Sequence, residues 1–237
     1  MRFEIHDDPD SVARAAAAAI AADARAATAA RGRFALAVSG GRTPWIMLSE
    51  LAKEDIYWAG VHIFQVDERV APEGDPDRNL THLRESLLRS APLRPEQIHA
   101  MQVESADLEA AAMQYAIELG KVAGTPPVLD LVHLGLGPDG HTASLVPGDA
   151  VLDVTGADVA PTGIYQGRRR MTLTYPALDR ARRVLWVVTG SEKKEMLRRL
   201  LDGDASIPAG RVRRAQAVVL ADRAAAGQQT AAYTLGG

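Results

Sequence analysis

The stretch VLDLVHL at residues 128–134 is a short, almost continuous apolar run, and the glycine-rich stretch GLGPDGH follows it at residues 135–141. Apolar runs of the same kind occur at residues 34–38, 61–66, 184–188 and 215–220. Between them lie patterns typical of helices, at residues 45–53, 79–89, 106–122 and 191–202. Buried strands that alternate with helices are typical of a mostly parallel sheet covered on both faces. The sequence therefore predicts an α/β fold of three layers, with a sheet between two layers of helices.

Two regions depart from this alternation. The alanine-rich stretch at residues 11–30 predicts a helix, because alanine has the highest helix propensity. Its bounds are indicated by Pro9 near the start, Asp10 or Ser11 as the cap, and Gly32 after the end. Residues 150–175 predict strands without an intervening helix, from the apolar positions Val151, Val154, Val159, Ile164, Met171 and Leu173. We find no long linker, charge block or internal repeat, so we expect a single domain over residues 1–237.

Composition excludes several classes of function. The chain has 237 residues and no cysteine, which excludes disulfides, zinc–thiolate sites and thiol nucleophiles. Its 27 Lys+Arg residues stand against 30 Asp+Glu, a formal net charge of -3, so no strong positive field exists to bind nucleic acid or an anionic membrane. Neither a secretory signal nor a membrane span is indicated near the N-terminus. We expect a soluble, cytoplasmic protein.

The loop after the first apolar run carries features of an anion site. In parallel sheets, ligands usually bind where the carboxyl ends of strands meet loops that lead into helices. Glycines let backbone amides face a ligand, and the amino end of a helix attracts anions. An ordinary strand-to-helix turn with a threonine cap would give the same local pattern. The candidate residues of this loop are Ser39, Gly40, Gly41, Arg42 and Thr43, followed by Pro44.

Three charged residues, Asp67, Glu68 and Arg69, follow the second apolar run. They allow two interpretations. A solvated loop with a surface Asp–Arg pair would stabilise the fold little. At a strand end that faces a ligand, however, an arginine can clamp an anion through two hydrogen bonds, and the aspartate can orient a hydroxyl or a water.

The glycine-rich segment at residues 135–148 favours a catalytic role for His141. Four glycines and two prolines can hold this imidazole at a fixed place, and histidine titrates near neutral pH, as a general base requires. Asp139, two residues earlier, is positioned to orient the ring. The other histidines are interpreted as structural; His133, inside a predicted strand, is expected to be a core residue.

Other chemistries have less support. Ser144 is not in a GxSxG motif, so a hydrolase triad is disfavoured, and the histidines lack the spacing of a metal site. The run Arg168–Arg170 is typical of a solvated strand edge. A lysine of the segment that begins at Gly190, Lys193 or its neighbour, is within reach of an anion at the strand ends, although either could equally be solvated.

Together and in this order, these segments resemble the 6-phosphogluconolactonase family. Its best markers here are SGGRTP at residues 39–44, DER at 67–69 and GPDGHTASL at 137–145. Supporting markers are DRN at residues 77–79, RMTLT at 170–174, GSEK at 190–193 and DRAA at 222–225. Three positions depart from the family: Val146 in place of a frequent phenylalanine, Arg78 before Asn79 in place of serine, and no tryptophan in the last strand. We expect these changes to affect pocket packing and substrate contacts more than the base.

The resemblance implies the fold of glucosamine-6-phosphate deaminase and the hydrolysis of 6-phospho-D-glucono-1,5-lactone without a metal or organic cofactor. His141 would be the base that activates water, with Asp67 near the reacting end of the sugar and Asp139 orienting the catalytic loop. The residues implied to bind the phosphate and sugar are Ser39, Gly40, Gly41, Arg42, Thr43, Arg69, Asn79, Arg170 and Lys193, among which Arg42 and Arg170 are the weaker candidates.

Two alternatives stay open at this point. A glucosamine-6-phosphate deaminase is disfavoured, because those enzymes typically have an aromatic residue where this chain has Arg69. They also continue the histidine loop with Ala-Phe-Asn-Glu, whereas this chain has TASL at residues 142–145. A non-catalytic sugar-phosphate sensor, such as the effector domain of a transcription regulator, is also disfavoured. Such a sensor often lacks the catalytic polar residues, which are present here, and no DNA-binding segment precedes residue 34. The sequence does not define the oligomeric state, although a monomer is slightly favoured.

Overall fold

The computed structural model describes residues 1–227 and shows a seven-stranded sheet in the order β1-β10-β9-β6-β2-β3-β5, in which every neighbouring pair is parallel. The strands of this sheet are β1 (Arg2–His6), β2 (Phe34–Val38), β3 (Val61–Gln65), β5 (Ile98–His99), β6 (Leu131–Leu134), β9 (Val184–Val188) and β10 (Ala217–Asp222). The helices are α1 (Pro9–Arg31), α2 (Arg42–Leu51), α3 (Asn79–Leu83), α4 (Leu108–Ala123), α5 (Tyr175–Arg180), α6 (Lys194–Asp202) and α7 (Arg223–Ala226).

Both faces of the sheet are covered, as predicted. Successive side chains of a strand point to opposite faces, so the strands contribute to two separate apolar cores. In β2, Leu36 belongs to the core that includes residues of α1, α2 and α3, whereas Ala35 and Ala37 belong to the core on the other face, which includes residues of α4, α5, α6 and α7. Trp186 of β9, fully buried, belongs to the second of these cores. The three-layer α/β prediction is confirmed.

Helix α1 owes its start to a capping box rather than to the predicted cap. The Asp8 carboxylate accepts the Ser11 N–H at 2.7 Å, and the Ser11 hydroxyl accepts the Asp8 N–H at 3.0 Å. Pro9 takes the first helical position, where no N–H is needed, so the cap lies before it and not at residue 10 or 11. Gly32 ends the helix in a left-handed conformation, as expected. In the described part of the chain, no helix is both long and apolar enough to cross a membrane.

A second, three-stranded antiparallel sheet stands beside the first. Its strands, in the order β4-β8-β7, are β4 (Asp67–Arg69), β8 (Arg170–Leu173) and β7 (Val159–Pro161). The prediction of strands without an intervening helix is thus correct for β7 and β8. It is wrong at Val151, Val154 and Ile164. Val151 lies in the 3₁₀ turn Ala150–Asp153, capped by the Asp149 carboxylate, and the other two residues lie outside any strand. The solvated-loop interpretation of residues 67–69 is also wrong, because Asp67 and Glu68 are buried in a strand.

Several predicted boundaries shift for local reasons. Helix α2 begins at Arg42 rather than near Trp45, with Gly41 before it in a conformation that favours glycine, φ 134°. The helix predicted over residues 79–89 is α3 followed by one π-helical turn, Arg84–Leu88. The helix expected from residue 191 begins with the 3₁₀ turn Ser191–Lys193 and continues as α6.

The strand order reverses between β2 and β6. The strands that follow β2, namely β3 and β5, lie on one side of it in the sheet. The strands that follow β6, namely β9 and β10, lie on the opposite side. At such a switch point the loops after the two strands diverge to opposite faces and leave a crevice at the carboxyl end. The predicted anion loop follows β2, and the predicted catalytic loop follows β6, so the topology brings them together.

His133 lies at the centre of this junction, fully buried in β6 as predicted. Its Nδ1 accepts the backbone N–H of Ser39 at 3.2 Å. Burial lowers the pKa of His133 to about 3. At the far edge of the sheet, burial also lowers the pKa of His62, and of His99 to about 4. The folded protein therefore keeps these rings neutral at pH values where the unfolded chain takes up protons.

We predict that stability falls with acidity and that His133 accounts for a large part of the fall. The unfolded state binds a proton on this ring below about pH 6.5, whereas the folded state binds it only near its lowered pKa. His133 should therefore lower the free energy of unfolding by about 2 kcal/mol between pH 7.5 and pH 5. His133→Asn keeps an acceptor for Ser39 and should flatten this dependence in urea unfolding. His82→Asn, at a partly exposed position, is the control; equal pH dependence in both variants would contradict the prediction.

Candidate active site

A cavity of about 530 Å³ opens at the carboxyl end of the large sheet, at the switch point. Its volume lies in the usual range for small-molecule sites. All three loops singled out from the sequence contribute to its wall, together with the ends of β8 and β9. The polar and glycine residues of the wall include Ser39, Gly40, Gly41, Arg42, Thr43, Asp67, Arg69, Asn79, His141, Arg170, Thr189, Glu192 and Lys193.

His141 is held on one wall by the compact loop that follows β6. The Gly137 N–H donates to the His141 carbonyl at 2.8 Å, which closes the loop beneath the imidazole. A Cβ at Gly137 would overlap Nδ1 of the ring, so glycine is required for this close approach. Gly140 turns the chain in the left-handed region, φ 83°. The loop thus fixes the ring by backbone geometry, as the sequence predicts.

Asp139 is hydrogen-bonded to the imidazole. Its Oδ1 lies 2.5 Å from Nδ1 of His141, and the Tyr165 hydroxyl donates to Oδ2 at 3.0 Å. Although burial opposes ionisation, the charge of His141 and the hydrogen bonds from His141 and Tyr165 lower the pKa of Asp139 overall. Because an ionised carboxylate only accepts, Nδ1 must carry the proton, and Nε2 is left with the lone pair of a base.

Asp67 also lines the cavity and is almost wholly buried. The Ser144 hydroxyl donates to its Oδ2 at 2.6 Å, and the Asn79 side-chain amide donates to its backbone carbonyl at 2.9 Å. Ser144 is fully buried and belongs to the same loop as His141. The serine disfavoured as a nucleophile therefore links the catalytic loop to the carboxylate of β4.

Behind Asp67, the buried Glu68 carboxylate organises the wall. Its oxygens accept the backbone N–H groups of Arg69, Asn79 and Leu80, each at 2.8 Å. Arg78 is the buried counterion, with Nε at 3.3 Å from Oε2. Arg78, the residue that departs from the family pattern, therefore lies behind the wall and does not line the cavity. Glu68 fixes the amino end of α3 against β4 and so places both Arg69 and Asn79.

Two arginines face the cavity without full satisfaction of their donors. Nη1 of Arg69 donates to the Asp77 carbonyl at 2.7 Å and to Oδ1 of Asn79 at 3.0 Å. The Nε atoms of Arg69 and Arg170 are buried and have no hydrogen-bond partner within residues 1–227. Burial and the nearby charge of Arg69 lower the pKa of Arg170. Arg170 is nevertheless charged near neutral pH, so the pair is a site of like-charge repulsion that an anion would relieve.

The loop after β2 forms the third wall. Gly40 packs so tightly on the Asn79 side chain that a Cβ would overlap its Oδ1. The Thr43 hydroxyl lies 2.7 Å from that of Thr189, which ties the loop to the end of β9. The Ser39 hydroxyl is buried and unpartnered in the described chain, and Arg42 is exposed at the rim. This wall presents donors around an open space, as an anion site requires.

Lys193 completes the cationic lining. Its segment is fixed by Asp222, whose carboxylate accepts the N–H of Gly190 at 3.1 Å and caps α7 through the N–H of Ala225 at 2.7 Å. Burial lowers the pKa of Lys193, against the opposing influence of Glu192 and Asp139. A partly desolvated ammonium interacts more strongly with an anion than a solvated one does.

The structure brings every predicted site residue to this one cavity or, for Asp139, to the imidazole at its edge. Asn79 differs in detail, because both ends of its amide are already bonded to Arg69 and Asp67. The arginine run is exposed at Arg169, whereas Arg170 is buried. Sequence reasoning missed Tyr165, and it gave Glu68 and Ser144 no positioning role.

Within residues 1–227, we find no group of three or more His, Asp or Glu side chains arranged to hold a metal ion.

Comparison with known proteins agrees with this geometry. Residues 7–221 match the family model of glucosamine-6-phosphate isomerases/6-phosphogluconolactonase. The chain belongs to this family. It is 36% identical to a 6-phosphogluconolactonase of Streptomyces coelicolor, over 94% of this chain and 93% of that protein.

Solved structures extend the comparison within this family. The chain superposes on the 6-phosphogluconolactonase of Thermotoga maritima with a TM-score of 0.83, at 26% identity, over 93% of this chain and 98% of that one. A monomeric glucosamine-6-phosphate deaminase has a TM-score of 0.83 at 18% identity, over 95% of this chain and 99% of that one. This second likeness shows the fold alone, and the fold is the one that the resemblance implied.

We predict that Glu68→Gln destabilises the protein by about 3 kcal/mol, because it removes the buried carboxylate that pairs with Arg78 and accepts three backbone N–H groups. Chemical unfolding measures the loss. Glu104→Gln is the matched control: this carboxylate also pairs with Arg78, at 3.3 Å, but is 55% exposed. Its loss should change the free energy of unfolding by less than about 1 kcal/mol. Similar effects of the two substitutions would show that the buried carboxylate does not organise the wall.

Proposed function

We propose that this protein hydrolyses 6-phospho-D-glucono-1,5-lactone to 6-phospho-D-gluconate, and that it needs neither a metal nor an organic cofactor. The observation that carries the proposal is the meeting of an aspartate-bonded imidazole and a set of buried, incompletely satisfied cationic donors in one cavity. The family membership and the 36% identity to a 6-phosphogluconolactonase support it. A strained ester is electrophilic, so one base and a held phosphate suffice for the reaction.

His141 is the proposed general base. With Nδ1 protonated and bonded to Asp139, Nε2 takes a proton from water as its oxygen attacks the lactone carbonyl carbon. The bond between that carbon and the ring oxygen then breaks, and the imidazolium returns the proton to the departing oxygen. Asp139 stays ionised throughout and stabilises the transient positive charge. Asp67, held by Ser144, is proposed to contact the reacting end of the sugar.

The phosphate is proposed to bind between Arg69, Arg170 and Lys193. A phosphate monoester carries about -1.5 to -2 charges near pH 7 and relieves the repulsion between the two arginines. The Ser39 and Thr43 hydroxyls and the amides of Gly40 and Gly41 supply further donors, with Arg42 at the rim and Asn79 bracing Arg69. Binding energy at the phosphate positions the distant lactone against the base.

An assay with freshly made lactone, corrected for spontaneous hydrolysis, tests the proposal. Ammonia release from glucosamine 6-phosphate would favour the deaminase alternative, and tight sugar-phosphate binding without turnover would favour the sensor. We retain, as predictions from the sequence, a single domain over residues 1–237, a cytoplasmic location, a monomeric state and the absence of a nucleic-acid or membrane partner.

We expect His141→Ala to lower kcat by about 10²- to 10⁴-fold, the usual contribution of general-base catalysis. Affinity for 6-phosphogluconate should change little, because the phosphate donors remain, and the urea unfolding transition shows whether the fold is kept. A variant that turns over at nearly the normal kcat would remove His141 from the mechanism.

Lys193→Ala should raise KM by about tenfold or more, since a hydrogen bond between charged groups contributes about 1.5–3 kcal/mol. The effect on kcat should be smaller. Lys194→Ala is the matched control, because the neighbouring lysine is exposed and does not line the cavity. Equal KM values in the two variants would contradict the assignment of Lys193 to the phosphate.

A further inference from the structure

The hairpin between β7 and β8 places a tyrosine at the catalytic imidazole. Tyr165 and Arg168 bond to each other through their backbones, with N-to-O distances of 3.0 and 3.3 Å. The two residues between them, Gln166 and Gly167, both lie in the left-handed region, at φ 50° and 79°. A two-residue turn with positive φ at both central positions matches the twist of a hairpin and gives it a defined shape. The tyrosine thus sits on a fixed turn.

Ion pairs and a hydrogen bond hold this turn against neighbouring residues, two of which, Asp77 and Arg170, also belong to or contact the cavity wall. The Arg168 guanidinium contacts the carboxylates of Asp75 and Asp77 at 3.1 and 2.9 Å. The backbone carbonyl of Asp77 also accepts a hydrogen bond from Nη1 of Arg69, so Asp77 contacts both the turn and a cation of the cavity wall. On the other side, Nη2 of Arg170 donates to Oε1 of Gln166 at 3.2 Å, which stabilises the non-glycine residue with positive φ. The side chains of Arg168 and Arg170 therefore fix the position of the turn.

From this position, Tyr165 reaches both members of the catalytic pair. Its hydroxyl donates to Oδ2 of Asp139 at 3.0 Å and lies 3.3 Å from Nδ1 of His141. The rings of Tyr165 and His141 meet edge to face, with centroids 5.3 Å apart. The Arg170 guanidinium stands over the tyrosine ring at 4.9 Å. One side chain therefore contacts the base, its carboxylate partner and a proposed phosphate ligand.

The two oxygens of Asp139 accept from three donors. Oδ1 accepts from Nδ1 and from the backbone N–H of His141, the latter at 3.2 Å, and Oδ2 accepts from the Tyr165 hydroxyl, so the carboxylate cannot rotate without losing hydrogen bonds. Burial and the hydrogen bond to Asp139 raise the pKa of Tyr165, which keeps the phenol protonated and a donor. The phenol also withdraws charge from the carboxylate and so weakens the stabilisation that Asp139 gives to a protonated His141.

We propose that Tyr165 is a positioning residue for the general base, which locks Asp139 in the orientation that keeps the His141 proton on Nδ1. This inference rests on the proposed function for its kinetic consequence, but the geometry can be tested without turnover. The charged groups that face the pair from other elements are Arg170, beside the tyrosine ring, and Lys193, which acts on Asp139. Both are unchanged when only the hydroxyl is removed.

Tyr165→Phe keeps the ring and its contacts with His141 and Arg170 and removes only the hydroxyl. We expect kcat to fall about tenfold, the usual effect of losing one hydrogen bond to a charged group, with KM changed less than twofold. The acidic limb of the kcat profile should move to higher pH by about half a unit, because an uncompensated Asp139 holds the imidazolium more strongly. Tyr57→Phe, which removes the hydroxyl of a tyrosine that is 63% exposed, should change neither quantity.

Nuclear magnetic resonance of ¹⁵N-labelled histidine rings separates this inference from the proposed function. In the parent protein the neutral His141 ring should carry its proton on Nδ1, and in Tyr165→Phe its titration midpoint should rise. If the parent protein fails to hydrolyse the lactone while the ring titration still shifts, the proposed function is wrong and the positioning role stands. Unchanged titration together with an unchanged kcat would overturn the positioning role.

Discussion

Every strand of the large sheet runs in the same direction, so all of the loops that leave its carboxyl end emerge at one edge. Parallel strands cannot be joined by tight hairpins and require crossovers, which here are mainly helices on the two faces. The reversal of strand order between β2 and β6 then opens a crevice between two of those loops. The position of the cavity follows from this constraint before any catalytic residue is considered. The chemistry of the site is determined by the side chains that the loops carry there.

Electrostatics explains why so much of the surrounding structure is polar and buried. A cavity that holds Arg69 and Arg170 close together accumulates like charge in a chain whose overall formal charge is -3. The charges of Asp67 and Asp77 act in the opposite sense on Arg170, and buried carboxylates on the neighbouring elements hold the walls in place. Glu68 anchors the backbone of β4 and α3, whereas Asp222 anchors the segment of Lys193. These carboxylates thus place Arg69 and Lys193, two of the cations that line the cavity.

How far the sequence predicts this structure depends on which contacts are local. The strands β2 and β9 are continuous apolar runs because both faces are covered, and their bounds are predicted correctly. Strand β1, with the sequence RFEIH, was not predicted, since an edge strand alternates charged and apolar residues without a continuous run. The Asp139–His141 pair spans two residues and could be inferred from the glycine-rich loop. Tyr165 and Ser144 could not, because their partners lie 24 and 77 positions away and only the tertiary fold brings them together.

Strand β10 has a consequence for the order in which the molecule can be assembled. It is the last strand within residues 1–227, yet it lies between β1 and β9 and connects the first residues to the rest of the sheet. During synthesis on a ribosome, β1 therefore has to wait for nearly the whole chain before it gains its neighbour. Asp222, at the end of β10, also fixes Gly190, so the lysine wall of the cavity closes only at that late moment. A nascent chain that stops short of β10 already contains the residues of α1 to α6 but lacks the carboxylate that fixes Gly190.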